Sequence, residues 1–131
     1  MGQTYSVTLT LRYDNENDVI KKMKEFIDVT KSSDSRIDFR LDEWAKEGIG
    51  TDKLDDLVKI FITNRGYKSE HKEGESSYHT SFDAKYGWQG IMEDMFKYIS
   101  SVLQNGSKMS IYPDSGRVIM RIKDGNLHYG Y

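Results

Sequence analysis

Apolar and polar residues alternate from Tyr5 to Tyr13, with Tyr5, Val7, Leu9, Leu11 and Tyr13 on one side and Ser6, Thr8, Thr10 and Arg12 on the other. A period of two sends successive side chains to opposite faces, so this stretch predicts a strand with one buried face. The period then changes. Asp14 or Asn15 can cap a helix, and Val19, Ile20, Met23, Phe26 and Ile27 follow at helical spacing, with Lys21, Lys22 and Lys24 toward water. Lys31-Ser32-Ser33-Asp34-Ser35 predicts a loop. Thr51 then caps a second helix, with Leu54, Leu57, Val58, Phe61 and Ile62 on one side and Asn64-Arg65-Gly66 as its stop.

Tyr67–His71 and Ser77–Ala84 predict a hairpin around Glu73-Gly74-Glu75. In its second arm Tyr78, Thr80, Phe82 and Ala84 share one face, and His79, Ser81, Asp83 and Lys85 share the other. Its polarity places it at a sheet edge or projecting from the body. The last third is the most regular. Trp88, Met92, Met95, Ile99 and Val102 predict a third helix that Gly106 ends. Met109 and Ile111, the turn Pro113-Asp114-Ser115-Gly116, then Val118, Met120 and Ile122, the turn Asp124-Gly125-Asn126, and Leu127 and Tyr129 predict a three-strand meander. Only Arg36 to Gly50 stays open between strand, helix and loop. Ile37, Phe39 and Leu41 alternate, Leu41–Lys46 can begin a helical turn containing Trp44, and Gly48-Ile49-Gly50 ends whichever forms.

Helices with one apolar stripe and strands with one apolar face bury both in a single arrangement. The expected fold is an α+β two-layer sandwich, a largely antiparallel sheet of about five or six strands with three helices on one face. The 131 residues suit a single α+β domain spanning 1–131. Its expected core is Val7, Leu9, Leu11, Val19, Ile20, Met23, Ile27, Leu54, Leu57, Phe61, Met92, Met95, Ile99, Met109, Ile111, Met120 and Ile122. Ser6, Thr8, Thr10, Arg12, Ile119, Arg121 and Lys123 fall on the other sheet face, which is either wet or covered by a partner.

Composition narrows the chemistry. Cysteine is absent, which removes disulfides, thiolate nucleophiles and cysteine-ligated metals and suits a reducing cytoplasm. Thr4–Tyr13 is strand-like rather than the apolar core of a secretion signal, and no apolar run approaches the ~20 residues of a membrane span. A cytoplasmic protein without membrane contact is therefore expected. Net charge is −2, so no global field draws the chain to nucleic acid. The charge is uneven. Asp34 to Asp56 holds eight acids against four bases, whereas from Ser107 onward four bases face two acids.

Candidate catalytic groups are sparse. His71 and His79 could face each other across the hairpin, joined by Glu73, Glu75 or Asp83, with His128 elsewhere. No HExxH or similar ligand spacing supports a metal, so no cofactor is expected. Asp42 with Glu43, Asp55 with Asp56 and Glu93 with Asp94 are adjacent acids of the kind that form solvated faces, and Asp52, Asp55 and Asp56 sit where a helix dipole favours negative charge. No serine occupies a G-x-S-x-G elbow, and no glycine pattern forms a phosphate cradle. Gly87 and Gly90 flank the start of the third helix, where close packing on the sheet is favoured over anion binding. Arg121, Lys123 and His128 make a modest basic stripe without interleaved aromatics, and Arg117 also lies on the last strands.

The leading expectation is a non-enzymatic protein-binding module, such as an inhibitor, an immunity-type protein or an adaptor. A small-ligand binder or enzyme with a cleft near the 67–86 hairpin comes second, and nucleic-acid binding through the sheet face third. The candidate surface is the acidic, irregular segment with Asp38, Asp42, Glu43, Trp44 and Glu47, facing a basic partner. Trp44 is either a partly exposed anchor for that partner or a plug at the core edge, and the plug is favoured. Because ligand spacing is missing, EDTA is expected to leave the melting temperature unchanged. A drop of several degrees restored by zinc would contradict this.

Overall fold

The computed structural model describes residues 2–34, 36–62, 68–85, 87–114 and 116–130. They form a six-stranded, fully antiparallel sheet in the order β2-β3-β1-β4-β5-β6. The strands are β1 (Gly2–Arg12), β2 (Lys68–Lys72), β3 (Glu75–Lys85), β4 (Lys108–Tyr112), β5 (Val118–Lys123) and β6 (Asn126–Gly130). Four helices lie among the described residues: α1 (Glu16–Ser33), α2 (Leu41–Lys46), α3 (Leu54–Ile62) and α4 (Trp88–Ile99), the last extended by a 3-10 turn at Ser100–Val102. The α+β sandwich is as the alternation predicts, with one more helix, because the open segment contributes the short α2.

The first strand sits inside the sheet. β1 pairs with β3 on one side, from Gly2↔Lys85 to Arg12↔Glu75, and with β4 on the other, from Ser6↔Tyr112 to Thr10↔Lys108. β3 and β4 therefore run parallel to each other, two strands apart, joined by α4. A hairpin (β2–β3) and a meander (β4–β6) flank β1. In the meander, Lys123↔Asn126 leaves a two-residue Asp124-Gly125 loop, both residues at positive φ, which matches the twist of the strands it joins.

All the expected core positions are buried except Ile20, which packs half-exposed against the core. Aromatics supply much of the remainder. Phe26 meets Phe61 and Tyr98, and Phe39 meets Phe61 and Trp88, with ring centroids 5.6–6.0 Å apart. α3 is buried nearly all round, since Ile60 joins Leu54, Leu57, Val58, Phe61 and Ile62 in the core. Trp88 Nε1 donates to the Phe61 carbonyl at 2.7 Å, satisfying a group at the end of α3 that helical bonding leaves open.

Several boundaries differ from the sequence pattern. α1 runs through Ser33 and absorbs most of the expected loop, because Thr30 is buried and keeps the last turn on the core. Asn15 caps it, its side chain accepting from the Asn17 N–H. α3 starts at Leu54, three residues beyond Thr51. Gly87 and Gly90 do not serve close packing, since a Cβ at either meets nothing within 4 Å; Gly87 is needed for its φ of +91° at the start of α4. The Asn64-Arg65-Gly66 stop, Tyr67 and Ser115 lie outside the described residues. No helix among the described residues is long and apolar enough to cross a membrane.

Leu57 has no solvent exposure and lies on the buried side of α3. Leu57→Ala is expected to lower stability by about 2–5 kcal/mol in urea melts. A loss under about 0.5 kcal/mol would mean that α3 does not pack as described.

Candidate functional site

The acidic segment begins where α1 ends. Asp34 accepts from the Arg36 Nε at 3.0 Å, from its second guanidinium nitrogen at 3.1 Å and from its backbone N–H at 3.0 Å. The side-chain hydrogen bond from Arg36 holds the Asp34 carboxyl below the ordinary aspartate range, and the same bond raises the Arg36 pKa. Asp38 next accepts from the Arg40 N–H at 2.8 Å. Arg40 is left-handed, with φ 58° and ψ 37°, a conformation that crowds any side chain with a Cβ. Its carbonyl accepts from the Trp44 N–H, and its guanidinium pairs with Glu43 at 3.0 Å. The chain thus turns abruptly into α2.

α2 stops as abruptly. The Gly48 N–H donates to the Ala45 carbonyl and the Ile49 N–H to the Trp44 carbonyl, both at 3.0 Å, with Gly48 at φ 80°. This is the double bond of a Schellman end, and it explains why the Gly48-Ile49-Gly50 triplet terminates the helix. Phe39 and Trp44 are 3% and 9% exposed, so both are pegs in the core. Trp44 is therefore no exposed anchor. The plug reading holds, for the physical reason that one buried indole is the main apolar tether of a six-residue helix. Asp38, Asp42, Glu43 and Glu47 all face solvent. An open cleft of about 340 Å³ runs beside them, lined by Lys31, Ile37 and the residues from Asp38 to Glu43.

At the hairpin the structure assembles a group that sequence spacing does not reveal. His71 lies opposite Ser76, not His79, which faces the other side of the sheet and contacts Thr8. His71 Nδ1 is 3.0 Å from Ser76 Oγ, and His71 Nε2 is 3.2 Å from Asp55 Oδ1. Tyr13 Oη is 2.6 Å from Ser76 Oγ, and Tyr78 donates to Asp55 Oδ1 at 2.7 Å. The contacts form a continuous chain that hydrogen bonds can follow, with Tyr13 donating to Ser76, Ser76 to His71 Nδ1, and His71 Nε2–H to Asp55. The connectivity is that of a serine hydrolase relay, yet Ser76 is only 1% exposed and no substrate carbonyl can reach it. The network ties α3, the hairpin and the end of β1 together. The signal in the sequence was only the five-residue spacing of His71 and Ser76, which becomes a contact once the hairpin closes.

The remaining histidines are apart, His79 on Thr8 and His128 on the Lys123 carbonyl. Among the described residues no three histidine, aspartate or glutamate side chains converge as metal ligands would. On the uncovered sheet face the register sets Thr4 with Asp83, Ser6 with Ser81 and Thr8 with His79, each pair 2.7–3.0 Å apart. A second open cleft, of about 360 Å³, borders this face and is lined by Asn105, Gly106, Ser107, Lys108, Arg121 and Lys123, among others. Gly106, at φ +95°, lies under the Arg12 side chain, and a Cβ there would sit 2.9 Å from it. Comparison with known protein families, with characterised proteins and with solved structures gives no match.

Ser76→Ala leaves the buried Tyr13 hydroxyl without its partner and is expected to cost about 1–3 kcal/mol in denaturant melts. A neutral effect would show that the hairpin does not depend on this network.

Proposed function

We propose that the chain is a non-enzymatic, cytoplasmic protein-binding module of the inhibitor, immunity or adaptor kind, and that its recognition surface is the acidic ridge from Asp38 to Glu47. The observation that carries this reading is the way the ridge is built. Phe39 and Trp44 are pegged in the core while Asp38, Asp42, Glu43 and Glu47 all point to water. An irregular segment held at both ends by tight turns presents its carboxylates with little ordering left to do on binding. Four acids within ten residues would steer a basic partner and set its association rate. The absence of cysteine supports a reducing compartment.

Trp44 reports on folding, so the test uses exposed positions. Tagged wild type and the Asp42→Lys/Glu43→Lys double variant are to be passed through lysate of the native cell and the captured proteins compared. A basic partner retained by wild type should associate about tenfold more slowly with the folded double variant, and more slowly at higher salt with wild type. Capture of the same proteins at the same rate by both would remove the ridge as the recognition surface.

A further inference from the structure

We propose a second binding surface, for single-stranded RNA, on the half of the open sheet face formed by β1, β4 and β5. Its first component is a charge pattern that costs stability. Lys108 lies directly opposite Arg121 on the adjacent strand, and the His128 ring flanks Arg121 on its other side. Like charges set opposite each other weaken a sheet. Lys123 is two residues along from Arg121 on the same face. Among the described residues no carboxylate forms an ion pair with Lys108, Arg121 or Lys123, although Asp124 lines the same cleft. Elsewhere on the face the charge is answered: Arg12 approaches Glu75 at 3.7 Å. The acid excess of the chain resides in the helix layer, so a net charge of −2 does not describe this surface.

The second component is aromatic. Lys108, Ser110 and Tyr112 alternate along β4 and so share one face. Tyr112 is 42% exposed, one of only three large apolar side chains this open among the described residues. The sequence stripe of Arg121, Lys123 and His128 lacked an aromatic; pairing of β4 with β5 supplies one. Tyr112 stands about 14 Å from Lys108 along the strand, the reach of a few nucleotides. Between them Ser110 is buried and Ile119 half-buried.

A base stacked on Tyr112 with its phosphates led across Lys108, Arg121 and Lys123 uses both components. An acidic protein segment would use only the charge, and a duplex cannot free a base for the ring. The third component selects RNA. Ser6 pairs with Tyr112, Thr8 with Ser110 and Thr10 with Lys108, so hydroxyls on β1 line the same path; Ser6 and Thr8 also bond Ser81 and His79 on β3, and each oxygen keeps a lone pair that can accept from a ribose 2′-OH. Hydroxyls both donate and accept, as the ribose 2′-OH does.

The test is fluorescence anisotropy of the whole chain with a labelled single-stranded RNA of about twelve nucleotides, against DNA of the same sequence and against duplex RNA. Wild type should bind the single strand, with log affinity falling against log salt at a slope of about −2, as expected for three neutralised phosphates. Arg121→Glu should weaken binding tenfold or more. Tyr112→Ala should weaken it about tenfold with the salt slope unchanged. The single-stranded DNA and the duplex should each bind several-fold less well. Both side chains are exposed, and circular dichroism is to check that the variants are folded. The proposal is overturned by no binding to wild type at about 100 μM protein in low salt, a concentration at which non-specific contacts already register. It is equally overturned by undiminished binding in Arg121→Glu or Tyr112→Ala, or by DNA or duplex binding as tight as the single strand.

Discussion

The rest of the structure depends on β1 being buried on one face and paired along both edges. Val7, Leu9 and Leu11 have no solvent exposure and Tyr5 has 1%. Because β3 and β4 pair with opposite edges of β1, the hairpin and the meander belong to one sheet only through this strand, although α4 also connects them along the chain. A slip of one residue would turn its whole apolar set to the open face, so its register is strongly constrained. Its far end is fastened as well. The Arg12 N–H donates to Ser107 Oγ and the Arg12 carbonyl accepts from the Gln104 N–H, at 2.9 and 2.8 Å.

The helix layer inherits its arrangement from that apolar face. α1, α3 and α4 cover the buried strand residues, and the aromatic series from Tyr98 through Phe26, Phe61 and Phe39 to Trp88 closes the gaps between them. The segment between α1 and α3 is too short of regular structure to hold itself. Phe39 and Trp44 supply its attachment, and the left-handed Arg40 is the backbone strain that this attachment sustains. The two surfaces of interest are thus opposite in kind. One is an irregular acidic ridge set by two pegs in the helix layer. The other is a regular platform whose chemistry follows from strand pairing.

How much was legible depended on the range of the interaction. Alternation in β1 and β5, the stripes of α1, α3 and α4, and the Asp124-Gly125 turn are local, and they determined most of the elements, the two-layer architecture and the aliphatic part of the core, while many of its aromatics, such as Phe26, Phe39 and Phe96, were not in the expected set. Half-exposed Ile20 is at the margin of a stripe, where burial depends on what lies across from it. The acid-rich composition of Asp34–Asp56 was equally plain from the residues alone.

Tertiary structure alone decided what stands beside what. That Trp44 is a peg and not an anchor depends on where α3 and its neighbours leave a space. That Ser76 meets His71 depends on the hairpin register, and Asp55 joins them only because α3 begins below the same hairpin. That Tyr112 shares a surface with Arg121 depends on pairing between strands whose order the alternation does not encode. Local patterns report the energetics of one segment against water, and these contacts are settled by the packing of several segments against one another.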